Sequence, residues 1–210
     1  IESKFVCFLA NSLDNCTSLT NSLNNCTALT HITFGNRFNQ HLSNAFDNCT
    51  ELTHITFGNR FNQHLGNAFD NCTVLTYIVF GRTFNQSLNN FLYNHPLLTH
   101  LVLGRDFSQP LDNLLDNCQG LIHMEFGGYF FQPLDDFLYN HPLLVHLGLG
   151  YCFDQQDELP SNVRSLSLNC NNIFYTGHLP DTIEDLELGW AFSLKLDNLP
   201  SSIKKLSFGK

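Results

Sequence analysis

Five histidines and a tyrosine recur at one spacing: His31, His54, Tyr77, His100, His123 and His146 each stand 23 residues from the next. Imidazole is the side chain whose charge changes near neutral pH, so a row of such rings suits a recognition stripe that gains positive charge on acidification. Glu125 stands two residues after His123, and the candidate binding set is therefore His31, His54, Tyr77, His100, His123, Glu125 and His146. The plainer alternative is that duplication has copied a tolerated polar residue along the chain. Metal binding is not expected, because a straight row spreads its ligands along a line instead of wrapping them around one tetrahedral ion.

A second chemical row runs through Cys26, Cys49, Cys72, His95, Cys118 and His141, again 23 apart, with Cys16 matching it in a less regular stretch. Neighbouring copies of one position lie close enough for disulfide geometry. Histidine at two copies argues instead for a small, half-buried slot filled by free thiols, as in a reducing compartment. Asn48, Asn71, Asn94, Asn117 and Asn140 precede that slot. Asn15, Asn25, Asn48 and Asn71 open Asn-Cys-Thr sequons, and Asn85 opens Asn-Gln-Ser. The recurrence points to amides that bond to backbone of their own or an adjacent turn. Asp135-Asp136, Asp154, Asp157-Glu158 and Glu184-Asp185 are the available carboxylate clusters. They are expected on loops or the outer flank, as a solvated face without the enclosure that a catalytic pair requires. No phosphate loop, dinucleotide fingerprint or Ser-His-Asp context accompanies them. The chain reads as a non-enzyme with no cofactor.

The elements that position these rows follow from the same period. Leu29-Thr30-His31-Ile32-Thr33-Phe34-Gly35 returns at Leu52, Leu75, Leu98, Leu121 and Leu144. Such a period is one supersecondary unit stacked on its own copies. Alternation in Ile55 and Phe57 against His54 and Thr56 predicts a short strand with one buried face. A glycine at 35, 58, 81, 104, 127 and 150 predicts a tight or left-handed corner after it. Phe38, Phe61 and Phe84, each followed by Asn-Gln, predict a second extended segment. Ala68-Phe69, Phe91-Leu92 and Phe137-Leu138 predict a short helix or 3₁₀ turn, ended by His95-Pro96 and His141-Pro142.

The period fails in two places. After Gly150 the phrase becomes Leu-Pro-x-x at Leu159, Leu179 and Leu199, 20 residues apart, with the strand retained. Near the start, residues 11–20 are nearly duplicated by 21–30, and Phe5 to Cys16 aligns with Phe38 to Cys49. One rung thus lacks its strand, and a distortion or cap is expected near residues 17–24. The expected organisation is a single domain over 1–210: irregular rungs over 1–28, regular repeats over 29–150 and shorter rungs over 151–210. Neither end carries a polar cap, which invites pairing with another chain.

Composition narrows the partners. A net charge of −9 with only 10 scattered Lys and Arg argues against nucleic acid. The run Phe5-Val6-Cys7-Phe8-Leu9-Ala10 is too short to cross a membrane and lacks a signal-peptide layout, so no membrane partner is expected. An intracellular or particle-borne protein follows.

Leu199-Pro200-Ser201-Ser202-Ile203-Lys204-Lys205-Leu206-Ser207-Phe208-Gly209, with the Phe-Asn-Gln phrases and the Gln-Pro-Leu of Gln109 and Gln132, resembles FNIP-type leucine-rich repeats of social amoebae and mimivirus-group giant viruses. The Asn-Cys-Thr-x-Leu-Thr phrase is also similar to bacterial-surface leucine-rich repeats. The resemblance implies an α/β repeat: a right-handed, horseshoe-like leucine-rich-repeat solenoid with a parallel β-sheet on one face and short helix, 3₁₀ or extended segments on the other. It also implies a protein-interaction role, either as a host-interaction or ubiquitin-ligase adapter in the host cytoplasm or as a self-associating component of a virion. The adapter reading depends on an F-box ahead of Ile1.

Overall fold

The computed structural model describes residues 5–9, 23–24, 26–111, 115–152, 159–169, 179–190, 196 and 199–209. Strands β1 (Phe5–Leu9), β2 (Leu29–Phe34), β3 (His54–Thr56), β4 (Tyr77–Val79), β5 (His100–Val102), β6 (His123–Glu125) and β7 (His146–Leu149) are followed by β8 (Ser165–Leu168), β9 (Asp185–Leu188) and β10 (Lys205–Phe208). They form one sheet in chain order, every pair parallel. From β2 to β7 the register equals the repeat, so Ile32 faces Ile55, then Ile78, Leu101, Met124 and Leu147. This is the parallel-sheet repeat that the 23-residue period implies.

The inward side chains build the core. In the rung that begins at Leu52, Leu52, Ile55, Phe57, Phe61, Leu65, Phe69 and Cys72 are all buried. Each large apolar side chain contributes roughly 1.5–3 kcal/mol before chain entropy is charged against it. Phenylalanines stack on their own copies: Phe57 on Phe80 at 5.1 Å and 4°, and Phe61 on Phe84 at 6.1 Å and 4°. Core packing thus uses the aromatic content.

The corner glycines are required by close approach, not by backbone sign. A Cβ on Gly58 would lie 2.0 Å from the carbonyl oxygen of Gly35, and one on Gly81 would lie 2.1 Å from that of Gly58. The left-handed residues among those described are Ser43 and Gly66, 23 apart, at the start of the outer flank. In those rungs the flank is a series of turns. At the equivalent Asn89 and Asp135 the chain instead enters helices α1 (Asn89–Tyr93) and α2 (Asp135–Asn140), which end before Pro96 and Pro142.

The segment after each corner does not form a second sheet. Its backbone N–H groups find side-chain acceptors: Asn62 N–H donates to Asn39 Oδ1 at 2.8 Å, Asn85 N–H to Asn62 Oδ1 at 2.9 Å, and Ser108 N–H to Asn85 Oδ1 at 3.0 Å. The following Gln63, Gln86 and Gln109 amides donate to the same oxygens. The Asn of the Phe-Asn-Gln phrase is therefore an inter-rung clamp, and Ser108 and Phe131 supply no amide oxygen to continue it. Asn71 and Asn117 likewise donate to Asp47 and Tyr93 carbonyls of the preceding rung, while Asn94 donates to the Asp70 carboxylate.

The Cys/His slot has one function from Cys49 to His141. Cys49, Cys72, His95, Cys118 and His141 each face the carbonyl 26 residues earlier: Leu23, Phe46, Phe69, Leu92 and Leu115. Burial pushes the Cys49 thiol up to about 11 and those of Cys72 and Cys118 to about 12, so they remain S–H donors. A slot that asks only for a donor accepts either residue.

One expectation is corrected. Phe5–Leu9 is not a post-corner segment like Phe38: it pairs with β2, Val6 opposite His31 and Leu9 opposite Phe34, after a register shift between Phe5 and Val6. A run of β-formers beside an open strand edge pairs with it. The sheet therefore runs on from β2 to β1, and the distortion or cap expected near residues 17–24 falls on residues of which only 23 and 24 are described. In the shorter rungs, Pro160, Pro180 and Pro200 carbonyls accept from Val163, Ile183 and Ile203 N–H, a tight turn that replaces the helical flank.

Alanine at Gly81 is expected to cost at least ~2 kcal/mol of unfolding free energy, because backbone must move. Alanine at Gly66, with open space around it and φ of +52°, should cost about 1 kcal/mol. Asn62→Ala, which strips two donors of their acceptor, should cost about 1 kcal/mol. Urea denaturation of the three variants measures the order.

Candidate functional site

Strand pairing sets the row exposed on the sheet face in one line: His31, His54, Tyr77, His100, His123 and His146 are consecutive register partners, all half-buried. Their rings form an unbroken row, stacked at every step except Tyr77 to His100, which is tilted by 36°. His31 and His54 centroids are 4.1 Å apart, His54 and Tyr77 5.1 Å, Tyr77 and His100 5.5 Å, His100 and His123 5.4 Å, and His123 and His146 4.1 Å. Beyond β7 the line passes to Ser165, Asp185 and Lys205. Asp185 thus lies on the sheet face, not on a loop or the flank, because it is the first residue of β9. Its neighbour Glu184 is bridged to Arg164 and Lys204 at 3.4 and 2.8 Å. Asp154, Asp157 and Glu158 lie outside the described residues.

The preceding threonine orients the earlier rings. Thr53 and Thr99 hydroxyls donate to the carbonyls of Thr30 and Thr76, so their oxygens accept the Nδ1–H of His54 and His100 at 2.8 and 2.9 Å. That tautomer turns an Nε2 lone pair away from the threonine. At β6 and β7 the pattern changes, because Ile122 and Val145 replace the threonine. His123 Nε2 now meets Glu125 Oε1 at 2.9 Å, while His146 Nδ1 meets Ser165 Oγ at 2.8 Å. His146 Nε2 is shielded from solvent without a hydrogen-bond partner, 3.9 Å from Glu125 Oε1.

The expectation that a straight row cannot gather ligands is corrected at this point. Atoms of His123, Glu125 and His146 able to ligate a metal all lie within 4.8 Å of one another. Glu125 leaves the line and leans across β7, where Gly148 offers no side chain: a Cβ there would sit 2.9 Å from Glu125 Cγ.

Glu125 and His146 also border a cavity of about 560 Å³ that reaches Arg105, Tyr151, Glu187 and Trp190. Arg105 spans two rungs, its guanidinium donating to Tyr129 and Tyr151 hydroxyls at 3.3–3.4 Å and lying 5.5 and 5.6 Å from their ring centroids. These residues were not singled out by spacing. Their available signal was departure from the Gly-Asn-Arg corner of Gly35 and Gly58, at Gly127-Gly128-Tyr129 and Gly150-Tyr151. The cavity suits a ligand bound by hydrogen bonds and ring contacts.

A parallel sheet in repeat register, buried Leu, Ile and Phe columns, and an exposed polar stripe define a leucine-rich repeat protein. The chain belongs to the BspA type leucine-rich repeat family, whose profile matches in six copies over residues 8–122, and carries FNIP repeats over 153–190 and 171–210. It is similar to the crystal structure of CroV588, a circular LRR protein of a giant virus, at 30% identity and TM-score 0.59. That match covers 87% of this chain and 30% of CroV588, so the chain spans less than a third of that protein's length. An internalin of Listeria monocytogenes overlaps more loosely, at 15% identity and TM-score 0.46, over 89% of this chain and 62% of the internalin. No curated protein gives a significant match.

Burial, followed by the repulsion of neighbouring imidazoles, holds His54 and His100 below the usual histidine range, and takes His146 down to about 4 against the pull of Glu125. Burial likewise lowers His95, outweighing its two carbonyl contacts. A histidine whose folded pKa is depressed takes its proton first in the unfolded chain. Stability is therefore complete above about pH 6.5 and is lost as pH falls below it. Unfolding free energy is expected to fall between pH 6.5 and 5, where carboxylates remain ionised. His95→Cys, which keeps the slot donor, should make that slope shallower in urea titrations at each pH.

Proposed function

We propose that this chain is a non-enzymatic interaction module that binds another protein through its exposed sheet face, along His31, His54, Tyr77, His100, His123, Glu125 and His146. The observation that carries this reading is the unbroken row of rings, stacked but for the tilted Tyr77–His100 pair, half-buried and spaced by strand register. Pre-stacked rings lose little side-chain entropy when covered, which favours association. Leucine-rich repeat folds commonly act as protein-interaction scaffolds. We take the whole chain as one unit. Its setting as a host-interaction or adapter component of a giant virus, in host cytoplasm or on the virion, rests on the similarity to CroV588. No helix among the described residues is long and apolar enough to cross a membrane.

A second reading is self-association of this 210-residue chain, in which Leu206 and Phe208 of β10 are exposed by 38% and 65% where their register partners Leu186 and Leu188 are buried. Sedimentation at rising concentration measures it, and Phe208→Asp should abolish any concentration dependence.

For the sheet-face reading, a binding protein recovered with the wild-type chain and then purified is titrated against a His54→Ala, Tyr77→Ala, His100→Ala triple variant. A loss of at least tenfold is expected, with a Tyr93→Ala, Tyr139→Ala flank variant unchanged. Equal affinity of the triple variant and wild type would remove the stripe as the site.

A further inference from the structure

We propose that His123, Glu125 and His146 form a site for one divalent transition cation of the Zn²⁺ class. Two imidazole nitrogens and a carboxylate oxygen are a donor set that such ions favour over Mg²⁺ or Ca²⁺. Donors on a tetrahedral Zn²⁺ with bonds of about 2.0–2.1 Å stand about 3.3 Å apart. Glu125 Oε1 lies 2.9 Å from His123 Nε2 and 3.9 Å from His146 Nε2, on either side of that spacing. The two rings stack at 4.1 Å and 8°, so each turns out of the stack to aim its Nε2 lone pair at the point the three donors share.

Four further observations converge on these residues. His146 Nε2 is buried without a hydrogen-bond partner, and a metal bond supplies what an orphaned lone pair lacks. Ser165 Oγ holds the opposite nitrogen of that ring at 2.8 Å, the outer contact that orients a ligating histidine. Gly148 clears the space over which the Glu125 side chain leans, where the equivalent positions carry Thr33, Thr56, Val79 and Val102. Ile122 and Val145 remove the threonine hydroxyl that elsewhere engages Nδ1. The tight pair His31 and His54 is an internal control: its rings also lie 4.1 Å apart, but its strands carry Thr33 and Thr56 in place of a carboxylate. Because Glu125 and His146 border the cavity, the remaining coordination position opens toward it. A water, or an oxygen donor of a bound ligand, completes the shell there. The inference does not depend on the sheet face binding a protein, since the isolated chain carries every ligand.

The test is calorimetric titration of the reduced full chain with Zn²⁺, paired with the visible spectrum of the Co²⁺ form. One ion per chain is expected, with Glu125→Gln and His146→Ala each weakening Zn²⁺ binding at least tenfold and abolishing the Co²⁺ bands. His54→Ala should bind as wild type does. Glu125→Gln is nearly isosteric and half-exposed, so it decides the matter if His146→Ala fails to fold. The proposal is overturned if the wild-type chain binds no Zn²⁺, if Glu125→Gln binds as wild type does, or if His54→Ala weakens binding equally. A thiolate charge-transfer band in the Co²⁺ spectrum would also overturn it, by assigning the ion to a cysteine.

Discussion

Parallel stacking in repeat register places each side chain against its own copy, and the rest of the molecule follows from that constraint. A column persists only if its residue is attracted to itself one rung away. Phenylalanine satisfies this by stacking, as Phe57 does on Phe80. Threonine satisfies it by donating from its hydroxyl to the carbonyl of the preceding threonine, and asparagine by accepting the next rung's N–H. Glycine satisfies it by having no Cβ where the chain passes about 2 Å from where one would stand. The Cys/His slot belongs to the same logic, since either residue reaches the same carbonyl of the preceding rung.

Imidazole is the column for which self-stacking carries an electrostatic penalty. Imidazole rings stack, as at 4.1 Å and 8° between His123 and His146, but a charged ring repels a charged neighbour. Burial is the larger cause, this repulsion adds to it, and the depressed titration of His54, His100 and His146 is the result. At neutral pH His54, His100 and His146 are therefore uncharged, hydrogen-bonding rings. Glu125 is the exception that gives one end of the row a negative partner, and it does so by leaving its own column.

Much of the architecture was legible in the chain. The strand around Ile55, the glycine corner, the helix at Phe91-Leu92 and the shortened Leu-Pro rungs all lie where periodicity put them, because a fixed period leaves one stacking register. Three features were not legible. The β1 strand was hidden because an irregular rung removes the internal ruler, so Phe5 aligned with the wrong copy. The segment after each corner reads as extended, yet its hydrogen bonds run to Asn39, Asn62 and Asn85 side chains, a choice that depends on spacing between rungs. Asp185 moved from an expected loop to the sheet face because its column is continuous with the histidines only in three dimensions.

The sequence by itself determined which residues share a column, since in a parallel stack the repeat length is the register and chemically alike positions must meet. It determined the buried Leu, Ile and Phe faces, the membership of the His and Cys rows, and the leucine-rich repeat class. Only the tertiary structure decided which different columns touch. Glu125 reaches over Gly148 toward His146, and Arg105 reaches Tyr151 across 46 residues. Such contacts depend on side-chain length, rotamer and the room left by a missing side chain, none of which a period encodes.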